Sequence, residues 1–486
     1  MLLVDVTIVQ VALPSIQRSL KASFADQEWV ISGYALTLSA LILMMGALSD
    51  RFGRKALFLF GVAEFTLASL TCGLARNATE LIVARGAQGI GGAAMFATAL
   101  ALIGQEFSGR ERASAIAAWG ATVGGAVAIG PLIGGALTSG LGWQWIFYVN
   151  IPIGVFIFAT AATRIANVAD PAATRLDLAG VVTFSAMLFL LVFALVKGKD
   201  DGWSSGTILT LFAASAALLV AFIVAEVLQE RPMLDLSLFR NRSFLGVSLA
   251  TFCISAGMFA MLPYLTFYLQ DFLGFSPLQG GLRLLPATIL TFAVPIASRS
   301  VTERLAPGLT LAAGLGICGL GLLLIHGVAL GDSWTSLLPG LLLTGLGIGI
   351  GNPAIARIAL GVVTPTRAGM ASGISNTFRI GGLSVGVAGL GAIFQSGIVS
   401  ALGGGQAQLA RAVAGEGPRD ATRGIVTTPA LQKALSLAFL HGLNDITLVG
   451  SILVFLGAAA ALVVRGRDFH RQLGPSGQVD GPSVAG

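Results

Sequence analysis

The sequence predicts an all-α polytopic membrane protein. Of its 486 residues, 55% are hydrophobic and 11% are charged, whereas a soluble domain carries about 25% charged residues. A chain with so few charges cannot bury its apolar surface in a water-facing globule. Apolar runs of about 20 residues recur along it, and a helix of that length crosses a hydrocarbon core of roughly 30 Å.

Fourteen such runs predict fourteen transmembrane helices. The first is short for a span and opens directly on Met1, which favours a start codon upstream or a truncated sequence. In chain order the predicted spans are 1–17, 28–48, 56–75, 79–103, 113–138, 144–163, 178–196, 206–227, 244–270, 277–298, 308–330, 336–358, 372–398 and 436–464.

The distribution of Lys and Arg predicts the orientation. With the N-terminus inside, the cytoplasmic segments hold 17 of the 29 Lys and Arg residues, counting Arg357 at the edge of its span, and the outer segments hold 9. Arg85, Arg283 and Arg379 lie within spans. This excess predicts that both termini are cytoplasmic. Topology also accounts for the net charge of +6, so we expect no nucleic acid partner.

The motifs of several function classes are missing from the sequence. It holds three cysteines, all in apolar segments, and three histidines, with no H-E-x-x-H and no G-x-x-x-x-G-K-[ST]. These counts predict no metal site, no disulfide framework, no cofactor and no ATP hydrolysis. No catalytic constellation is present, so we do not expect an enzyme.

A basic turn separates the second and third spans. The stretch Gly46-Ala47-Leu48-Ser49-Asp50-Arg51-Phe52-Gly53-Arg54-Lys55 holds three cations and one acid, which marks a cytoplasmic face. It resembles the G-x-L-x-D-R-x-G-R-K loop of the major facilitator superfamily. The resemblance implies the fold of that superfamily and a conformational switch formed by Gly46, Asp50, Arg51, Gly53, Arg54 and Lys55.

Two short segments recur later in the chain in diverged form, which indicates an internal repeat. Thr302–Leu305 resembles Ser49–Phe52, 253 residues earlier, and Arg367–Ala371 resembles Arg112–Ile116, 255 residues earlier. The matching offsets predict two six-helix halves with two helices inserted between them. The predicted divisions are an N-terminal half (1–163), an inserted pair with linkers (164–243), a C-terminal half (244–464) with an outer loop at 399–435, and a cytoplasmic, disordered tail (465–486).

Asp5 places a carboxylate inside the first span. Because a charge in the bilayer is costly, such a residue usually faces a wet cavity and has a function; the alternative is an interfacial carboxylate near the helix start. The stretch from Leu3 to Pro14 resembles the L-D-x-T-I-V-N-V-A-L-P signature of the fourteen-span drug:proton antiporters (EmrB/QacA type), with Gln10 in place of asparagine. The resemblance assigns proton coupling to Asp5.

Arg85 lies in the fourth span, on the same predicted helix face as Gln88, Gly89 and Gly92. It stays charged at any physiological pH, and its expected task is to set the proton affinity of a nearby carboxylate. The alternative is an arginine that snorkels to the outer interface. The stretch resembles the superfamily's R-x-x-Q-G motif, which favours proton coupling with Asp5.

Glycine and proline are frequent in the fifth span. Gly130 and Gly134 form a G-x-x-x-G pair suited to close helix packing, and Pro131 removes a backbone donor. Packing alone explains these residues. Gly130, Pro131, Gly134 and Gly135 are also similar to the G-P-x-x-G-G antiporter motif, which implies export rather than import.

The C-terminal half supplies further candidates for a substrate cavity. We expect the cavity to contain Tyr264, Phe267 and Gln270, with an interfacial belt as the alternative, which we favour for Tyr268. Residues Pro365 to Arg379 resemble the start of span 13 in fourteen-span antiporters. The full set predicted for the cavity is Gln10, Gln88, Tyr264, Phe267, Gln270, Asn352 and Asn376. We expect Asp177 to cap span 7, and His441 and Asp445 to form a polar pair.

Together these features predict a proton-driven exporter of amphipathic drugs or secondary metabolites in the cell membrane. Its partners would be a small amphipathic substrate, protons and membrane lipid, with a periplasmic adaptor and an outer-membrane channel if the source is Gram-negative. The alternatives are a proton-coupled importer or lipid exporter on the same fold, and a membrane sensor that does not transport.

Overall fold

The computed structural model describes residues 1–107, 109–165, 177–229, 236–298, 302, 304–363, 368–403, 407–421, 428–465 and 468. The side chains of some residues inside helices, including Asp50 and Arg51, lie outside this description. So does nearly all of the predicted tail.

The described residues form helices and no strand. The helices are α1 (Leu2–Leu20), α2 (Phe24–Phe52), α3 (Arg54–Leu74), α4 (Ala78–Glu106), α5 (Gly109–Gly140), α6 (Trp145–Tyr148), α7 (Asn150–Arg164), α8 (Leu178–Asp201), α9 (Gly206–Leu228), α10 (Arg242–Gly257), α11 (Leu262–Phe267), α12 (Pro277–Ala297), α13 (Pro307–Ile325), α14 (Leu338–Gly361), α15 (Ala368–Leu402), α16 (Ala407–Asp420) and α17 (Pro429–Ala461). Short 3-10 turns cover Leu236–Arg240, Phe259–Met261 and Trp334–Leu337, and a π-helical turn covers Tyr268–Phe272.

Among the described residues, eleven helical segments are long and apolar enough to span a membrane. The protein is therefore a multi-pass membrane protein. Helices α1, α2 and α5 are 19, 29 and 32 residues long but fall outside that set. The count of fourteen spans stays a prediction.

Two predicted spans are shorter or less regular than the hydropathy indicates. The span at 244–270 divides into α10, a 3-10 turn, α11 and the π-helical turn, and Pro263 in the first turn of α11 lacks a backbone donor. The span at 308–330 ends early, since α13 stops at Ile325 and Gly327 takes a φ of 95°. Asp177 caps α8 as predicted, accepting a 2.7 Å hydrogen bond from Gly180 N.

The helices pack as two groups that meet along two seams. In the first group α4 packs on α2 and α3, and α1 on α5; in the second, α13 packs on α14 and α17, and α10 on α15 and α17. The groups meet where α2 contacts α15 and where α5 contacts α12.

The two inserted helices lie against one of these seams. Helix α8 packs on α9 and also contacts both α2 and α15. The ring of Trp29 on α2 has its centroid 6.1 Å from that of Phe189 and 6.0 Å from that of Phe193 on α8. The inserted pair therefore covers the seam between α2 and α15.

The predicted outer loop at 399–435 contains a helix. Helix α16 buries Ala410, Val413 and Ala414 against the bundle and contacts α2 of the first group as well as α15 and α17 of the second. We call this the capped end of the bundle; α1 ends there and α2 begins there.

Candidate functional site

Asp5 and Arg85 form a buried ion pair between α1 and α4. Their side chains are 0% and 1% exposed, and Arg85 Nη1 lies 2.5 Å from Asp5 Oδ2. Burying either charge alone would be costly, and the cost is offset only when the pair is close and its remaining hydrogen-bonding capacity is filled. Asp5 is thus deep within the bundle, and Arg85 does not snorkel to an interface.

Polar side chains complete the hydrogen bonding of the carboxylate. Gln88 Nε2 donates to Asp5 Oδ1 at 3.1 Å and to Ser69 Oγ at 2.8 Å, and Asn150 Nδ2 donates to Asp5 Oδ1 at 3.3 Å. Asp5 therefore receives donors from α4 and α7, while Gln88 ties α3 into the same network.

The guanidinium of Arg85 is equally well satisfied. Its Nη1 donates to Gln88 Oε1 at 2.6 Å and its Nε donates to the carbonyl of Val30 at 3.0 Å. Its Cζ lies 4.3 Å from the centroid of the Tyr34 ring, in cation–π geometry. The network joins α1, α2, α3, α4 and α7, so a change in the charge of Asp5 would be felt by five helices.

Three side chains of this network, Ser69, Asn150 and Tyr34, are not among the predicted site residues. Asn150 lies in the stretch Trp143–Pro152, which is rich in aromatic residues, and Tyr34 and Ser69 lie in ordinary apolar spans. The signal available for Asn150 is an amide at the start of an apolar helix. Trp143 in that stretch is buried and Trp145 is exposed.

The glycine motif of α5 lies between α1 and α12. A Cβ on Gly130 would collide with Thr7 Oγ1, and a Cβ on Gly134 would lie 3.0 Å from Ile8 Cα, so these glycines let α5 approach α1. A Cβ on Gly135 would lie 2.6 Å from the carbonyl oxygen of Pro277 at the start of α12. The motif therefore allows α5 to pack closely against α1 on one side and against α12 of the second group on the other.

The basic turn is as tight as predicted. Helix α2 ends at Phe52, α3 begins at Arg54, and Gly53 between them has a φ of 94° that favours glycine. Arg54 Nη1 donates to the carbonyl of Ala101 at 3.2 Å, and Lys55 Nζ donates to the carbonyl of Ala162 at 2.7 Å. These cations bind carbonyls near the C-terminal ends of α4 and α7, where the helix dipole favours positive charge.

Three predicted cavity residues, Tyr264, Phe267 and Gln270, lie in the closed contact between the groups, and their contact with a substrate stays a prediction. Gln270 Nε2 donates to the carbonyl of Val11 on α1 at 2.8 Å. Tyr264 and Phe267 are almost fully buried, with ring centroids 6.3 and 6.2 Å from that of Phe24 on α2. At the capped end, these residues hold the two groups together.

Charged residues also join the groups at the capped end. Arg18 Nη1 lies 3.3 Å from Asp271 Oδ1. Glu28 on α2 is 3% exposed, and its Oε1 lies so close to Gly391 on α15 that no Cβ would fit there. Glu28 is not among the predicted site residues because the predicted span begins at residue 28, whereas α2 begins one turn earlier at Phe24.

The remaining cavity candidates are dispersed. Gln10 is 2% exposed on α1, and Gln88 belongs to the ion-pair network. Asn352 Oδ1 accepts a 3.4 Å hydrogen bond from Arg379 Nη1, and Asn376 is half-buried on α15. Their contact with a substrate stays a prediction.

The interfacial position predicted for Tyr268 is wrong. Its side chain is 0% exposed, and its ring stacks on that of Phe272 with centroids 5.3 Å apart. The reason is that α16 packs on this segment and Phe439 of α17 stacks on Phe272. His441 Nε2 and Asp445 Oδ2 are 3.7 Å apart, in agreement with the predicted polar pair.

Comparison with known proteins identifies the family. Residues 1–387 match the family model described as Major Facilitator Superfamily. The chain belongs to the major facilitator superfamily. It is 35% identical over 395 residues to the multidrug resistance protein Stp of Mycobacterium tuberculosis, covering 81% of this chain and 73% of that protein.

A second relative and a solved structure agree with this assignment. The methylenomycin A resistance protein of Streptomyces coelicolor is 32% identical over 393 residues, covering 81% of this transporter and 82% of that protein. The crystal structure of the human organic anion transporter MFSD10 superposes with a TM-score of 0.60 at 16% identity, covering 95% of this chain and 96% of that one. The last likeness shows the fold alone.

Proposed function

We propose that this transporter exports amphipathic drugs or secondary metabolites in exchange for protons. The buried pair of Asp5 and Arg85, with the amides that surround it, is the observation that carries the proposal. An ionisable pair at membrane depth in a transporter is a proton-relay candidate. The resistance relatives and the α5 glycine motif favour export.

The exchange cycle follows from the contacts of Asp5. Protonation would remove the negative charge that holds Arg85 Nη1 and would convert one acceptor oxygen into a donor. The network across α1, α2, α3, α4 and α7 would then lose its central attraction, allowing those helices to rearrange. Return of the carboxylate to Arg85 would release the proton. The Asp5 carboxyl group would therefore be protonated once and deprotonated once in each transport cycle.

The proposal includes the topology. Both termini lie in the cytoplasm, the capped end faces outward, and fourteen helices span the cell membrane. The proton gradient is the energy source and no cofactor is needed. In a Gram-negative cell a periplasmic adaptor and an outer-membrane channel would carry the substrate onward.

A gradient-driven flux assay tests the proposal. The purified full-length protein is reconstituted in liposomes, and a panel of dyes and antibiotics is offered with an imposed pH gradient, with and without an uncoupler. Asp5→Asn should still bind substrate but lose gradient-driven transport, and Asp5→Glu should keep part of it. Asp201→Asn, at an exposed acid at the end of α8, is the matched control. Full gradient-driven transport by Asp5→Asn would place the proton site elsewhere, with Glu64 in the middle of α3 and Asp445 on α17 as the next candidates.

A further inference from the structure

Arg379 is another arginine within a predicted span, and its surroundings differ from those of Arg85. It lies on α15, within the apolar segment Gly373–Leu402. Its Nη1 makes one long hydrogen bond, 3.4 Å to Asn352 Oδ1. Its Nε is buried, and no described residue accepts a hydrogen bond from it. Among the residues that the structure describes, no carboxylate lies within 4.0 Å of it.

The contrast between the two arginines indicates unused binding capacity. Arg85 is satisfied by a carboxylate, an amide and a backbone carbonyl, whereas the described residues offer the five donors of Arg379 one long hydrogen bond, to Asn352. An arginine in the bilayer is costly and normally pairs with an acid or faces a wet cavity. The first group of helices thus holds a neutral pair, and the second holds a positive charge that lacks a described counter-ion.

The position of Arg379 leaves it reachable. Its side chain is half-buried, as are those of Asn352 and Asn376. Asn376 and Arg379 are three residues apart on α15 and so share a face of that helix. Helix α15 contacts α2 of the first group as well as α10, α14 and α17 of the second, so these polar groups belong to a helix that lies where the two groups meet.

The geometry points to a carboxylate-binding subsite, and this inference rests on the proposed export function. We propose that Arg379, flanked by Asn352 and Asn376, binds the carboxylate of an exported amphipathic molecule. A planar guanidinium matches a carboxylate with two parallel hydrogen bonds, and the two amides can donate to the same oxygens. The subsite would select amphipathic acids over their neutral esters.

The competing interpretation is structural. Arg379 could serve only to tie α15 to α14 through Asn352. In that case its loss would weaken the fold and lower the binding of acids and esters equally. Lysine at this position keeps the charge but not the fork-shaped donor set, so it separates charge from geometry.

A pair of matched dyes tests the subsite. A rhodamine with a free carboxylate and its ethyl ester are titrated into the purified full-length transporter, and binding is followed by fluorescence polarisation. The wild-type protein should bind the acid more tightly. Arg379→Gln should weaken acid binding by about tenfold or more and ester binding by no more than about twofold, with Arg379→Lys between. The control is Arg357→Gln, at an exposed cation on α14 whose Nη1 donates to the carbonyl of Thr302.

The outcomes separate this proposal from the proposed function. Equal or absent binding of the acid by the wild-type protein, or an equal loss for both dyes in Arg379→Gln, overturns the subsite. Gradient-driven export of the ester in the same liposomes would leave the export function standing in that case. Conversely, acid-selective binding without gradient-driven flux of either dye would support the subsite and count against export.

Discussion

Gln27 on α2 donates a 3.1 Å hydrogen bond from Nε2 to the carbonyl of Gly415 on α16. Helix α16 is joined to α15 and α17 of the second group, so this bond fastens the capped end across the seam. The same glycine abuts Phe24, since a Cβ built on it would lie 3.4 Å from Phe24 Cβ. For the capped end to open, α16 has to leave α2.

Cross-linking α16 to α2 should therefore stop transport. The double variant Gln27→Cys with Gly415→Cys is made in a background that lacks Cys72, Cys253 and Cys318. A short cleavable reagent that links two thiols then joins the new cysteines. We expect this cross-link to abolish substrate flux and its cleavage to restore the flux. Flux in proteoliposomes is the measurement. Each single cysteine treated with the reagent is the control. Undiminished flux in a fully cross-linked sample would show that α16 stays in place through the cycle.

The contact between Gly135 and Pro277 predicts a position-specific effect of alanine. In Gly135→Ala the new methyl would meet backbone atoms of α12 at 2.6 to 2.9 Å, and overpacking of this kind costs about 1–3 kcal/mol. We expect a lower melting temperature and a several-fold loss of flux. Gly140→Ala is the control because nothing lies within 4 Å of its added methyl. Equal behaviour of the two variants would contradict the close packing of α5 on α12.

Replacement of Asp50 tests the basic turn. Asp50→Ala should cripple transport without preventing membrane insertion, because the acid is expected to hold one conformation through charge-assisted hydrogen bonds. The two conformations of the transport cycle differ in free energy by only a few kcal/mol. Losing one or two such bonds, of roughly 1.5–3 kcal/mol each, would therefore shift the equilibrium between them. Flux normalised to the amount in the membrane is the readout, and normal flux would remove this role.

The orientation is open to a direct measurement. A reporter fused after Gly486 should be active only in the cytoplasm, because the Lys and Arg excess and the even number of predicted spans place both termini there. Activity of a periplasm-dependent reporter at that position would overturn the fourteen-span count.

The helices and the family follow closely from local sequence. Long apolar runs can satisfy their backbone groups in lipid only as helices, so the predicted spans agree with the helices to within a few residues at most ends. Departures occur where a local signal competes, as at Pro263 in α11. The turn at Gly53 was predictable because the conformation of a tight turn depends on residues that are adjacent in the sequence.

The partners of the site residues depended on tertiary packing. The sequence by itself determined that Asp5 and Arg85 would be costly in a membrane, because that cost belongs to each residue and its own helix, and it therefore predicted a function for both. It did not determine that Asn150 would join them, that Glu28 would be buried against Gly391, or that α16 would lie across the capped end. Those contacts join positions from 145 to almost 400 residues apart in the chain, and only the way helices pack decides which faces meet. Arg379 is a further example. The sequence predicted its position inside a span, but only the folded structure shows that no described carboxylate lies beside it.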